Sequence, residues 1–291
     1  NVGIGVTPSS WPSNGDFRAL QVGSGLSLYG RGSNDKDRVG MTANAYVDLT
    51  NDRFEYIGTG HATHYRQSDG THAFQTAASG SADGAITFST VMSIDASGNV
   101  GIGVVPESWH SSGVALQVGA GGCVKGHITD ERVALLSNAY EAASDGNWKR
   151  NISALSANIN IDNGEFNFET AATGSADSNI SWTNVMKINN SGNVGIGSTP
   201  PSATSNSSYK QLFVNTGGAL VDSGGSGPST QLLNNSYVGS GNNNYATATQ
   251  VASRINLTSG RIQFDTAGSV SANAQQTLAE RMRIDSSGNV L

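Results

Sequence analysis

The string Asn-Val-Gly-Ile-Gly starts at Asn1, Asn99 and Asn193, and Asn289-Val290 opens a fourth copy, giving spacings of 98, 94 and 96 residues. Each later copy follows one lead-in: Met92-Ser-Ile94-Asp95-Ala-Ser-Gly98, Met186-Lys-Ile188-Asn189-Asn-Ser-Gly192 and Met282-Arg-Ile284-Asp285-Ser-Ser-Gly288. Other landmarks keep register, among them Pro8, Pro106 and Pro200, and the phrases Ala19 to Gly23, Ala115 to Gly119 and Gln211 to Asn215. Self-similarity of this kind constrains the fold before any local pattern does. The chain therefore reads as three tandem repeats of about 95 residues, 1–98, 99–192 and 193–288, with 289–291 beginning a truncated fourth. Because both ends sit on the motif, it is expected to be an excerpt from a longer array.

The residue mixture selects short strands and tight turns. Of 291 residues 37 are Gly, 36% are apolar and only 13% are charged. Gly and Asn accept positive φ, and Ser, Thr and Asn bond to nearby backbone in competition with helix. The expected class is all-β. So few apolar residues give each repeat a thin core, so burial between repeats or between chains is expected to supply much of the stability. The net charge of −6 and the absence of any Lys/Arg-rich run argue against a nucleic-acid partner. No apolar run is long enough to span a bilayer as a helix, so no membrane insertion is expected.

Local patterns place the hairpins. Ile86, Phe88, Met92 and Ile94 recur at period two, as do Ile180, Trp182, Met186 and Ile188, predicting a half-buried strand with these residues on one face. The following Asp/Asn-x-Ser-Gly-Asn predicts an Asx-type turn into Val100 and Ile102, or Val194 and Ile196, and so a hairpin across each repeat boundary. A second hairpin is predicted at Asn163-Gly164, with copies at Asp69-Gly70 and Ser259-Gly260. In the first copy Tyr65, Gln67 and His72 stand where the others carry Ile, Ile/Leu and Phe/Ile, and His61 aligns with Leu155 and Val251. A face packed in two repeats is thus expected to be open in the first, and His61, Tyr65, Gln67 and His72 are candidate receptor contacts, since rings with polar tips suit shallow sugar binding.

The Met-x-Ile-Asp-x-Ser-Gly-Asn-Val-Gly-Ile-Gly phrase followed by Thr-Pro resembles the repeats of bacteriophage long tail fibres and tailspikes, and the resemblance is carried by Met92 to Pro106, Met186 to Pro200 and Met282 to Leu291. The resemblance implies a parallel homotrimer sharing a β-rich, fibrous shaft on an extracellular virion fibre. It also implies other virion tail proteins and a host-surface glycan as partners. A bacterial adhesin or secreted filament is the alternative reading, and a polysaccharide-degrading tailspike the enzymatic one.

Chemistry-bearing patterns are sparse. No Gly-x-Ser-x-Gly elbow or Gly-Lys-Ser/Thr phosphate loop occurs, and the chain is expected not to be an enzyme and to need no cofactor. His61, His64 and His72 lack the further ligands zinc requires and the His-x-His spacing with which phage fibres thread metal, so they read as exposed strand residues and no metal site is expected. Asp95, Asp285 and Asn99 fit no calcium loop and read as turn formers, as does Asn34-Asp35-Lys36-Asp37. Cys123, matched in register by Ser27 and Ala219, reads as a small packed side chain.

Overall fold

The computed structural model describes residues 1–12, 17–31, 37–201, 209–223, 229–239 and 243–291. Asn34, Asp35 and Lys36 of the expected acidic turn lie outside them, while Asp37 is an exposed turn residue. Among the described residues all regular elements are strands, as the composition predicts. Two compact units are formed, one by 1–130, 135–154 and 174–180, the other by 131–134, 155–173 and 181–291, so residues of the second repeat contribute to both.

In the first unit, β1 (Val2–Ile4), β2 (Phe17–Val22), β3 (Leu26–Arg31) and β4 (Val39–Ala43) are paired in that order. The chain then leaves the sheet for a small hairpin, β5 (Ala45–Asp48) and β6 (Arg53–Tyr56), and returns with β7 (Gly60–Ser68) beside β4. The meander continues through β8 (Thr71–Gly80), β9 (Ser89–Ile94) and β10 (Val100–Ile102) to β11 (Gly113–Val118) and β12 (Gly122–His127). Strands β13 (Val133–Ser137), β14 (Tyr140–Glu141) and β15 (Trp148–Lys149) follow, with β14 and β15 forming another small hairpin; β16 (Ala154–Asp162), from Leu155 onward, and the first two residues of β13, Val133 and Ala134, belong to the second unit.

The second unit repeats the plan. Its sheet runs β17 (Glu165–Gly174), β18 (Thr183–Ile188), β19 (Val194–Ile196), β20 (Tyr209–Val214), β21 (Gly218–Ser223), β22 (Ser229–Asn234). The chain departs into β23 (Ser236–Val238) and β24 (Asn244–Ala246), then returns as β25 (Ala252–Thr258), β26 (Arg261–Ala267) and β28 (Ala279–Ile284), with β27 (Gln275–Gln276) beside β24.

Why the repeated phrases recur is visible in their bonds. Asp95 Oδ1 accepts from the amides of Ser97 (2.8 Å) and Asn99 (2.9 Å), and Asn189 and Asp285 make the same turn. The Asn289 side-chain amide, which donates to Asp285 Oδ2 (3.1 Å), and then the Asn289 and Ser287 backbone amides hold the Asp285 carboxyl below its usual pKa. The boundary Asn then reaches onward: Asn99 Oδ1 accepts from Ala115 N (3.0 Å) and Asn193 Oδ1 from Gln211 N (3.0 Å), fixing the parallel pairing of β10 with β11 and β19 with β20. A Cβ on Gly3, Gly101 or Gly195 would lie 2.8 Å from Cδ of Pro8, Pro106 or Pro200, so the glycine and the proline are one packing unit. Val100 faces Ile94 and Ile102 faces Met92, the predicted hairpin across the boundary. Both central residues of the Asp69-Gly70, Asn163-Gly164 and Ser259-Gly260 turns have positive φ, as a type I′ turn requires.

A further repeated phrase, Asn44-Ala-Tyr46, Asn138-Ala-Tyr140 and Asn235-Ser-Tyr237, marks each departure into a small hairpin. The three asparagines have φ of 55°, 55° and 49°. Asn44 donates to the carbonyls of Gly58 and His61 and accepts from Gly58 N, clamping the hairpin base; Asn138 and Asn235 act alike. The tyrosine hydroxyls donate to Asp83, Asp177 and Asn273. The hairpins thereby cover one sheet face, over Trp11, Phe17, Tyr29, Tyr46 and Val47 in the first repeat and Phe213, Val221, Leu233, Tyr237 and Val238 in the third.

One expected face is corrected. Ile86 and Phe88 precede β9 and pack under the hairpin with Tyr56 and Ala62, whereas Met92 and Ile94 pair on the opposite face. Phe74 pairs with Met92 but Gln75 with Thr90, so Val91 is an extra, bulged residue; Val185 and Arg281 are the equivalents. One inserted residue reverses the parity on which the expectation rested.

Candidate interaction surface

The sheet face away from the small hairpins carries an apolar ladder. In the first unit Leu20 is opposite Leu28, Leu28 opposite Met41, and Met41 opposite Tyr65. The row continues through Phe74 and Met92 to Ile102 and Val118 without a break. In the second unit Phe166, Ile188 and Val194 lead into Leu212, Leu220 and Leu232, and the row ends on Ile255, Phe264 and Met282. Within the chain these side chains stay open: Leu28 is 41% exposed, Met41 46% and Leu232 57%. Cross-strand neighbours on one face touch, so each row is a continuous apolar strip.

A groove of about 400 Å³ follows the strip in the first unit, between Leu26, Met41, Tyr65, Phe74 and Val91. The same register in the second unit, Gly218, Leu232, Ile255 and Phe264, frames one of about 530 Å³. Large apolar patches on one open face mark interaction surfaces.

The structure brings together three of the four candidate receptor residues on this face. Tyr65 hydroxyl and His72 Nδ1 are 2.6 Å apart, Gln67 Nε2 donates to the Tyr65 hydroxyl (3.2 Å), and the Tyr65 ring stacks on Phe74 at 4.8 Å. Gln67 and His72 form a cross-strand pair in a row otherwise made by Val39, Ile94, Val100 and Leu116. They are a polar notch in an apolar surface. His61 lies at the far end of β7, with Nδ1 3.4 Å from the Ala77 carbonyl, and does not join them. The expected contrast between packed sisters and an open first repeat is not found: Leu155, Ile159, Phe166, Val251 and Ile255 are also exposed, since none of the described residues covers this face.

His64 is a second correction. It is buried on the hairpin side, with Nε2 2.7 Å from the Tyr29 hydroxyl and its ring 5.1 Å from Phe54. Burial lowers its pKa to about 4, a nearby Arg66 lowering it further and a Gln75 hydrogen bond opposing. Cys123 is buried, and burial raises its thiol to about 12 against the opposing Lys125 charge, as fits a packed residue.

Sequence patterns missed the buried charges of the second repeat. Lys125 and Glu141 form an ion pair where the first repeat has Tyr29 and Val47; Lys125 Nζ also donates to Ser112 Oγ (3.1 Å) and lies 5.8 Å from the Trp148 ring centre. His127 Nε2 is 3.6 Å from Glu141, and its Nδ1 3.3 Å from Asp130. No group of three His, Cys, Asp or Glu side chains fit to hold a metal occurs among the described residues. The only sequence signal was a Lys at a strand position whose register neighbours are Tyr and Val. Comparison with protein-family models and with curated proteins returns no match.

Proposed function

We propose that this chain is a structural segment of a virion tail fibre, one copy of a homotrimer whose open apolar faces pack on one another, and that it performs no catalysis. The observation that carries the reading is the apolar ladder, which persists strand after strand in both units while the hairpins cover only the other face. Burying one such side chain contributes about 1.5–3 kcal/mol, so a row shared between copies outweighs the modest core each repeat builds for itself. The repeated restart phrase, shared in type with phage fibres, supplies the virion context and the threefold number. Other tail proteins are its neighbours in this reading, and a host-surface glycan is the target that the Tyr65, Gln67 and His72 notch would touch where the face is not occluded.

Immunogold electron microscopy tests the assignment. Antibodies raised against the chain are expected to decorate the fibres of phage particles that encode it. Labelling confined to a bacterial surface would replace the fibre by an adhesin, and release of oligosaccharide from host capsule would replace it by a depolymerase.

A further inference from the structure

On the hairpin side of the first repeat, a cavity of about 400 Å³ opens between β3, β7 and the segment around Phe88. Its aromatic wall is Tyr29, Phe54, His64 and Phe88, with Phe54 and Phe88 edge to face at 5.3 Å and His64 and Phe88 at 5.2 Å. Arg31, Arg38 and Arg66 line the remainder with Gln75 and Thr87, and none of the described residues lining it is acidic. Arg38 is oriented from outside, by Ser68 Oγ at 3.2 Å and Asp69 at 3.8 Å. Arg66 Nε is buried without a hydrogen-bond partner. Buried donors in folded proteins are almost always paired, so this one is poised for an acceptor from outside the chain.

We propose that this cavity binds an acidic saccharide, the rings taking the pyranose face and the three guanidinium groups its carboxylate or phosphate. A cavity of this volume accommodates a mono- or disaccharide. Arginine forks match both oxyanions in two-point geometry, and aromatic faces suit the apolar side of a sugar ring. The three charges converge: burial raises the Tyr29 hydroxyl to about 12, and Arg66, Arg31 and Arg38 each oppose that rise. The third repeat supplies an internal contrast, with Ser223, Ser229 and Asn256 at the register of Arg31, Arg38 and Arg66, and the two serine hydroxyls 3.2 Å apart. The backbone therefore does not need the arginines. The inference goes beyond the fibre role and does not depend on it, because Arg66 and the ladder residue Tyr65 point to opposite faces of β7.

Calorimetric titration of the full chain tests it with four probes: a trigalacturonate, glucose 6-phosphate, neutral maltotriose and inorganic phosphate. Binding of either acidic sugar, weakening as salt is added, is expected, and the stronger of the two identifies the natural anion. The variant carrying Arg31→Ser, Arg38→Ser and Arg66→Asn, residues the third repeat already folds with, is expected to lose at least about tenfold in affinity. Arg66→Asn alone serves where the triple variant alters the circular dichroism. Failure of both acidic sugars to bind, equal binding of maltotriose or of inorganic phosphate, or unchanged affinity in the folded variants overturns the proposal. Sedimentation of the variants stays as in the parent chain, so loss of the sugar site and loss of the fibre assembly are read separately.

Discussion

Both faces of the sheet carry apolar side chains, and they differ in what covers them. On the hairpin side the chain provides its own lid, and there the repeats diverge. Tyr29, Val47 and Phe54 of the first are Lys125, Glu141 and Trp148 in the second and Val221, Val238 and Asn244 in the third. On the open side they agree outside the Tyr65, Gln67 and His72 notch: Leu28, Val124 and Leu220; Phe74, Phe168 and Phe264; Met92, Met186 and Met282. A face closed locally can be repacked with its own lid, one repeat at a time. In the proposed assembly a face that meets an identical neighbour has no such freedom, which accounts for the greater uniformity of the exposed rows.

That contrast can be broken first on the covered side. Lys125→Met takes the lysine from buried Glu141 and leaves it only His127 (3.6 Å) and His110 (3.8 Å), and is expected to cost about 3 kcal/mol in chemical denaturation. Lys125→Tyr with Glu141→Val, the pair from the first repeat, is expected to regain that loss; a double variant as unstable as the single would show that the lids are not interchangeable. Acid comes next. His64 is neutral in the fold, with its pKa lowered from 6.5 to about 4. Its contribution is complete above pH 6.5, declines as pH falls toward 4 and changes no further below that, for a total of roughly 3 kcal/mol. Replacing His64 with Asn, the residue of the second repeat at this register, is expected to flatten that part of the stability-against-pH curve. Asn44→Ala places a Cβ-bearing residue without side-chain bonds at φ 55° and is expected to cost about 2 kcal/mol by thermal unfolding. The smallest effect belongs to the open face, where Leu28→Thr is expected to change the unfolding free energy of dissociated chains by less than about 0.5 kcal/mol.

Much of this fold could be read from the residues. The Asp-Gly, Asn-Gly and Ser-Gly hairpins and the Met-to-Ile boundary hairpin follow from turn chemistry and alternation, both local signals. The bulge at Val91, Val185 and Arg281 could not be read, since neither a valine nor an arginine in an extended run signals an inserted residue, and one insertion inverts every face assignment upstream of it. The departure hairpins were missed although Asn-Ala/Ser-Tyr recurs, because the bonds that clamp Asn44 close only when Gly58 and His61 return. Tyr65, Gln67 and His72 were legible as a site because they are polar where their sisters are apolar. The openness of those sisters was not, since alternation marks a face as apolar without saying whether its cover is the same chain or another. The arginine cavity gathers Arg31, Arg38 and Arg66 from three separate segments, which no spacing rule connects.

Sedimentation equilibrium of the full chain at micromolar concentration, beside a variant carrying Leu28→Glu and Leu232→Glu, tests the role of the open face most directly. The parent chain is expected to sediment as a trimer and the variant as a monomer with an unchanged β-type circular dichroism spectrum, because a charge on each ladder opposes burial without disturbing the covered cores. A parent chain that is a stable folded monomer, or a variant that associates as fully as the parent, would contradict assembly through this face.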